Sequence, residues 1–398
     1  MKFINKKLLA VLLLTSTLFA CSSTDDEDEK NKIAELPDIE QQFTPKKVWG
    51  NSVGDGVSDY FSRLKPAVAY ERVFAASRSG DVYAFAIDSG KELWHVDVAQ
   101  LAQKAGFFES KKSARLAGGV LAGINKVFVG SEDGEMFALD AKTGELVWQS
   151  EVKGEIVAMP AIDNGILVVN TVSGVLKAFD ATDGSEIWQV DLEVPPLSLR
   201  GTSPPVIAAG GVLVGTASGE LSVYILESGQ AGWSAEIGEA TGSTELERVI
   251  DVDSAPIVFG DKIYVISSRG HLAAIDLRTG RLVWERQYSS YRSMTLDGNN
   301  IFITDVKGHI YSIDRLNGLE QWSQLSLTNR KVTGPVVVGD YVVVGDFEGY
   351  LHWLNSETGD MVAQYQLDSS GIYATPVVYK DIIYTQSRDG DLEAIKTP

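Results

Sequence analysis

The chain has 398 residues, 44% of them hydrophobic, and a formal charge of −19 from 54 acidic and 35 basic side chains. So acidic a surface repels phosphate backbones, and no Lys/Arg cluster with interleaved aromatics overcomes that, which excludes nucleic-acid binding. Its single cysteine, Cys21, rules out an intramolecular disulfide and leaves no thiol set for a metal.

In chain order, Lys2, Lys6 and Lys7 precede the thirteen-residue apolar run "LLAVLLLTSTLFA", and Cys21 follows at once. That is the order of a cleavable export signal, and the run is too short to span a bilayer. "LFAC" resembles the lipobox of bacterial lipoproteins, with Phe19 where a smaller residue is usual. The resemblance implies a diacylated Cys21 as the mature N-terminus, and Ser22 after it resembles the sorting signal for the outer membrane. Triacylation makes such an anchor stable, where one chain binds marginally. Loss of residues 1–20 removes three lysines and takes the formal charge from −19 to −22. The next stretch, "SSTDDEDEKNKIAELPDIEQQ", carries eight acidic residues and two lysines and too little apolar surface to fold alone. Residues 21–44 are therefore expected to be an acidic flexible tether, with a root-mean-square span of roughly 27 Å.

From residue 45 onward the chain repeats. Turn glycines stand at 80, 134, 174, 219, 270, 308, 349 and 390, and in the first seven units a second glycine follows ten residues later. In six of those an indole comes four residues after that: Trp94, Trp148, Trp188, Trp233, Trp284 and Trp322. In the seventh, Ala363 holds the place. Each unit of about 40 residues reads as four short antiparallel strands, A to D, with a glycine in both the B–C and C–D turns, and this period means an all-β propeller. Asp or Asn four residues before the C–D glycine suits the turn backbone, and the indole suits the gap between blades.

Eight B–C glycines imply eight blades, yet the eighth C–D glycine would fall at position 400, beyond Pro398. "PKKVWGNS" supplies the missing strand, since Trp49 lies 45 residues before Trp94 and matches a strand-D indole. The predicted fold is an eight-bladed propeller over residues 45–398, closed by its N-terminal strand. The alternative is seven blades with loose ends, which would expose Trp49 and strand edges.

The phrases at 138–148 and 274–284 match the "A-x-D-x-x-T-G-x-x-x-W" motif of quinoprotein dehydrogenase propellers, while Ile225, Asn355 and Ala363 depart from it. The resemblance implies a quinone held by a vicinal cysteine pair and a calcium ion with a catalytic aspartate, and one cysteine cannot supply the pair. No catalytic residue, cofactor or metal is therefore expected. His271 and His309 follow equivalent glycines in adjacent blades, a placement open to a metal reading, but they read at least as well as solvated residues flanking turns. Trp353, off the repeat register, reads as filling the space left by Ala363.

Spacing between the B–C glycines runs 54, 40, 45, 51, 38, 41 and 41 residues, and the long intervals place insertions at about 97–116, 191–203 and 237–253. All three connect a strand D to the next strand A, so they emerge on one face, where function on repeat scaffolds tends to sit. The second carries Leu197, Leu199 and Arg200, apolar anchors beside an arginine, and the third carries Asp251 and Asp253. The bland alternatives are that the leucines pack beneath their own loop and the aspartates bond the turn before Pro256.

With the lipobox, the acidic tether and eight blades, the stretches "LSLRG", "ATGSTE", "DVDSAP" and "GDFEGYLHW" resemble the BamB family, the lipoprotein propellers of the outer-membrane β-barrel assembly machinery (the BAM complex). That resemblance implies a non-enzymatic scaffold on the periplasmic face of the outer membrane. It would bind the POTRA domains of BamA through Leu197, Leu199, Arg200, Asp251 and Asp253, meet the other BAM subunits indirectly, and assist insertion of β-barrel proteins. The alternative is a periplasmic quinoprotein-like or sugar-binding propeller enzyme.

Overall fold

The computed structural model describes residues 31–60, 62–102, 113–195, 202–238 and 250–398. Within them lie eight four-stranded antiparallel sheets, each a blade, and one short helix, α1 (Val98–Ala102). Strand A is three residues long in seven blades, and strand B buries four of its five residues wherever it is five long, as in Ile166–Asn170 and Tyr341–Gly345. Those Val/Ile/Leu-rich B strands are apolar on both faces because each blade is packed between two others. Strand D, as in Glu186–Asp191, is mostly exposed, with the indole its one buried residue.

Closure follows the sequence expectation. β1 (Lys46–Ser52) pairs antiparallel with β32 (Asp391–Lys396), giving the last blade the order β1, β32, β31 (Ile382–Gln386), β30 (Val377–Tyr379). The register matches the other blades in detail. Trp49 faces Ala394 as Trp148 faces Ala138 and Trp188 faces Ala178, and a one-residue bulge interrupts the C–D ladder beside the indole in each case. Trp49 is buried, so the seven-bladed alternative with exposed ends falls.

The repeated phrase has a two-sided job. Five of the strand-D indoles named above donate their N–H to a carbonyl of the next blade: Trp94 to Ala141 at 3.2 Å, Trp148 to Ala181 at 3.1 Å, Trp188 to Leu226 at 2.7 Å, Trp284 to Arg315 at 3.0 Å and Trp322 to Ser356 at 2.9 Å. Trp49 does the same to Ile87 at 2.8 Å, across the closure. Its ring then lies on the C–D glycine of that next blade. A Cβ at Gly144, where φ is +77°, would stand 2.7 Å from the Trp94 ring. Backbone twist and contact with the indole therefore both demand glycine. In the same turn Asp140 Oδ1 accepts the N–H groups of Lys142 and Thr143, each at 2.8 Å, and Asn355 accepts those of Glu357 and Thr358 at 2.9 and 3.0 Å. Asparagine thus replaces the motif aspartate with the turn intact.

The tether expectation needs correction over its second half, because residues 32–43 lie along the sixth and seventh blades. Ala34 donates its N–H to the Thr328 carbonyl at 2.9 Å, Gln42 donates to Val362 at 2.8 Å, and Asn329 and Arg330 reach the carbonyls of Lys32 and Ala34. Phe43 packs on Tyr341 with ring centroids 4.9 Å apart and joins the core cluster that holds Trp353 and Ala363. Val362 lies on β29 (Met361–Gln366), the outer strand of the seventh blade, so this segment covers part of an otherwise unpaired edge.

Candidate functional site

Because strands alternate in direction, the D–A connectors and the B–C turns share one face. The structure places the expected site residues there unevenly. Leu197, Leu199 and Arg200 lie outside the described residues, as do most of the three insertions and Cys21. Asp251 and Asp253 are described and are not exposed: they are 0% and 4% accessible. Their connector turns inward on its way to strand A, with Ile250 and Val252 buried beside them. The Asp251 carbonyl accepts the Ser268 N–H at 2.9 Å, and the Asp253 carbonyl accepts from Arg63 at 3.1 Å. Neither carboxylate is displayed to solvent in this conformation. The bonds that tie connector to connector here come from their main-chain carbonyls.

The two histidines make local contacts. His271 Nδ1 lies 2.6 Å from Glu285 of its own blade, and His309 sits 3.0 Å from Asp305 and 3.0 Å from Thr328. Similar pairs recur diagonally across other C–D ladders, His95 with Asp81 at 2.9 Å and Gln149 with Glu135 at 2.9 Å. Among the described residues no three of His, Cys, Asp and Glu group as a metal site.

What the sequence reading missed lies on the propeller axis. Segments just before strand A of seven blades converge on a cavity of about 380 Å³. Arg63 and Lys65 enter it from the connector into the first blade, Asp253 from the fifth, Tyr291 and Arg292 from the sixth, Lys331 from the seventh, and Tyr373 from the eighth, while Arg388 comes from the last B–C turn. Arg63 crosses the ring: one guanidinium nitrogen donates to the carbonyls of Thr202 at 2.9 Å and Asp253 at 3.1 Å, in the fourth and fifth connectors. Desolvation holds both Arg63 and Lys65 below their ordinary pKa values. Burial likewise pushes the Asp253 carboxyl up to about 6, against the pull of Arg63. The signal was present in the sequence as basic residues just upstream of strand A in an acidic chain, but they share no position in the repeat.

This geometry can be set beside known proteins. A family model described as outer membrane protein assembly factor BamB matches residues 78–324 and 306–397. Outer membrane protein assembly factor BamB of Shewanella oneidensis is 43% identical over 398 residues, covering all of both chains. That of Escherichia coli is 40% identical over 392 residues, 98% of this chain and 99% of the relative. The crystal structure of BamB from Moraxella catarrhalis superposes with a TM-score of 0.78 at 26% identity, covering 89% of this chain and all of that one. A quinohemoprotein alcohol dehydrogenase from Pseudomonas putida reaches a TM-score of 0.67 at 14% identity over 93% of this chain and 78% of its own, which is likeness of fold alone. Full-length matches of this strength, on a ring of eight blades closed by its N-terminal strand, leave one conclusion: the chain belongs to the outer membrane protein assembly factor BamB family.

Proposed function

We propose that the chain is a non-enzymatic scaffold subunit of the outer-membrane protein assembly machinery, anchored by lipid at Cys21 on the periplasmic face of the outer membrane. It binds the periplasmic POTRA domains of BamA and so assists the folding and insertion of β-barrel proteins. Relatedness along the full length of the assembly factors carries this reading. A feature of the sequence agrees with it: the three enlarged D–A intervals belong to one face, and the second bears Leu197, Leu199 and Arg200. The single cysteine leaves no vicinal pair for a quinone, which favours the scaffold over a quinoprotein enzyme.

Two measurements test the reading. Cys21→Ser is expected to move the protein from the membrane pellet to the soluble periplasmic fraction, and retention of the variant after a high-salt wash would defeat the lipid anchor. Arg200→Ala and Leu199→Ala are each expected to weaken binding to the POTRA domains by ~2 kcal/mol, roughly thirtyfold in Kd, by calorimetric titration. Lys142→Ala, in a C–D turn on the opposite face, is expected to change nothing. Unaltered affinity in well-folded Arg200 and Leu199 variants would move the partner to another surface.

A further inference from the structure

Acidic side chains outnumber basic ones 54 to 35 over the chain, but the axial cavity inverts that ratio. Five cations line it, Arg63, Lys65, Arg292, Lys331 and Arg388, against two carboxylates, Asp59 and Asp253. We infer that this cavity is a binding site for a compact polyanion, a small molecule carrying at least two carboxylate or phosphate groups.

The cations divide by what already engages them. Arg388 is committed: it pairs with Asp59 at 2.9 Å, donates to the Ser58 carbonyl at 2.8 Å and stacks over Tyr373 at 4.9 Å. Arg63 is committed to the two carbonyls across the ring. Arg292 is half committed. Its guanidinium lies over the Tyr291 ring, 4.7 Å from the centroid, and makes a long bond of 3.4 Å to the Lys331 carbonyl. The ammonium groups of Lys65 and Lys331 have no hydrogen-bond or ion-pair partner among the described residues. For Lys65, desolvated without a counter-charge, that is costly, and an anion beside it relieves the cost; the exposed Lys331 stands at the same cavity with its charge still open to a ligand. Desolvation already depresses Lys65 and Arg292.

Placement argues for more than one anionic group. Lys65 approaches from the connector into the first blade, whereas Arg292 and Lys331 approach from the connectors into the sixth and seventh. One oxyanion beside Lys65 leaves the other pair uncompensated, and a ligand with two charged ends serves both. A volume of about 380 Å³ suits a small metabolite-sized molecule, not a folded chain. Arg292, held over Tyr291, offers a forked guanidinium of the kind that recognises carboxylate or phosphate.

The test is calorimetric titration of the mature chain with pyrophosphate and, separately, with citrate, at ionic strength matched by sodium chloride, together with melting curves. The expected result is saturable one-to-one binding of at least one probe, with a higher Tm than in sodium chloride alone. The tighter probe identifies phosphate or carboxylate as the preferred group. Lys65→Met and the exposed Lys331→Met are each expected to weaken that binding about tenfold or more, as loss of a charged hydrogen bond does. Asp253→Asn is expected to strengthen it, because it removes a repelling charge while Arg63 keeps its carbonyl partners. Lys142→Ala, outside the cavity, is expected to leave it unchanged. Absence of saturable binding by either probe would overturn the inference. So would equal affinity in folded Lys65→Met and Lys331→Met variants.

Discussion

Trp353→Ala is expected to destabilise the propeller by about 3–5 kcal/mol, the usual loss for a buried indole, and Ala363→Trp in the same chain is expected not to restore it. Trp353 is 0% exposed on β28 (Tyr350–Asn355) and faces Ala363 of β29 across the C–D ladder. In six other blades that rung is reversed, with a small residue on C and the indole on D, as in Ala84 with Trp94 and Ser312 with Trp322. The swap has a physical cause at the closure. A strand-D indole rests on the C–D glycine of the following blade, and the blade after the seventh has no C–D turn, because its strand D is β1 and not a continuation of β32. The indole therefore sits one strand inward. There its N–H donates to Thr397 Oγ1 at 3.0 Å, at the place where other blades offer a carbonyl, and Phe43 meets its ring edge-on with centroids 6.4 Å apart. If Trp353 merely filled the volume vacated at Ala363, the double variant would regain nearly all the lost stability. If the closure dictates the swap, the double variant stays close to Trp353→Ala. Urea denaturation of the wild type, both single variants and the double variant separates the two outcomes through the coupling energy.

The same closure shows why part of the molecule could be read from the sequence and part could not. Blade count, strand order, the turn glycines and the role of Trp49 were legible because each repeats a local requirement: a positive φ, a capped turn, one indole per gap. Docking of residues 32–43 was not legible. Leu36, Ile39 and Phe43 are diluted among Glu35, Asp38 and Glu40, and only the exposed edge of β29, invisible in one dimension, gives them something to cover. The burial of Asp251 and Asp253 was hidden for a related reason. Alternating acid and valine looks solvated in sequence, yet their connector is drawn toward the axis, where neighbours from distant blades surround it. Lys65, Arg292 and Lys331 escape notice because their juxtaposition arises from ring geometry and not from any shared repeat position.

A buried charge cluster supports the second large prediction: Arg330→Ala is expected to cost about 3–5 kcal/mol, the scale for leaving a buried partner uncompensated. Arg330 is 1% exposed, and its guanidinium contacts Asp346 Oδ2 through Nε at 2.8 Å and a terminal nitrogen at 2.7 Å. It also pairs with Glu348 and donates to the Ala34 carbonyl at 3.0 Å. Asp346, fully buried, further meets His352 Nε2 at 3.0 Å and accepts the N–H groups of Glu348 and Tyr350, each at 3.0 Å. Burial alone would raise the Asp346 pKa, but the hydrogen bond and charge of His352, followed by those of Arg330, outweigh it and hold the carboxyl below its ordinary 3.8. A carboxyl so depressed stabilises the fold fully above the unfolded value and loses that contribution as pH falls through the lower folded value. Without Arg330 the folded pKa rises, so the acid transition of the variant is expected to begin at higher pH than that of the wild type. The variant also releases the carbonyl of Ala34, one of the bonds that hold residues 32–43 against the ring. Trypsin is therefore expected to cut after Lys32 sooner in the Arg330→Ala variant than in the wild type, before the propeller itself is cleaved. Equal urea midpoints for the two proteins would reduce Arg330 to a bystander. A normal cleavage rate after Lys32 beside a lowered urea midpoint would confine its role to the blade and leave the N-terminal segment held by its bonds to Thr328, Asn329, Val362 and Gln364 and by the packing of Phe43.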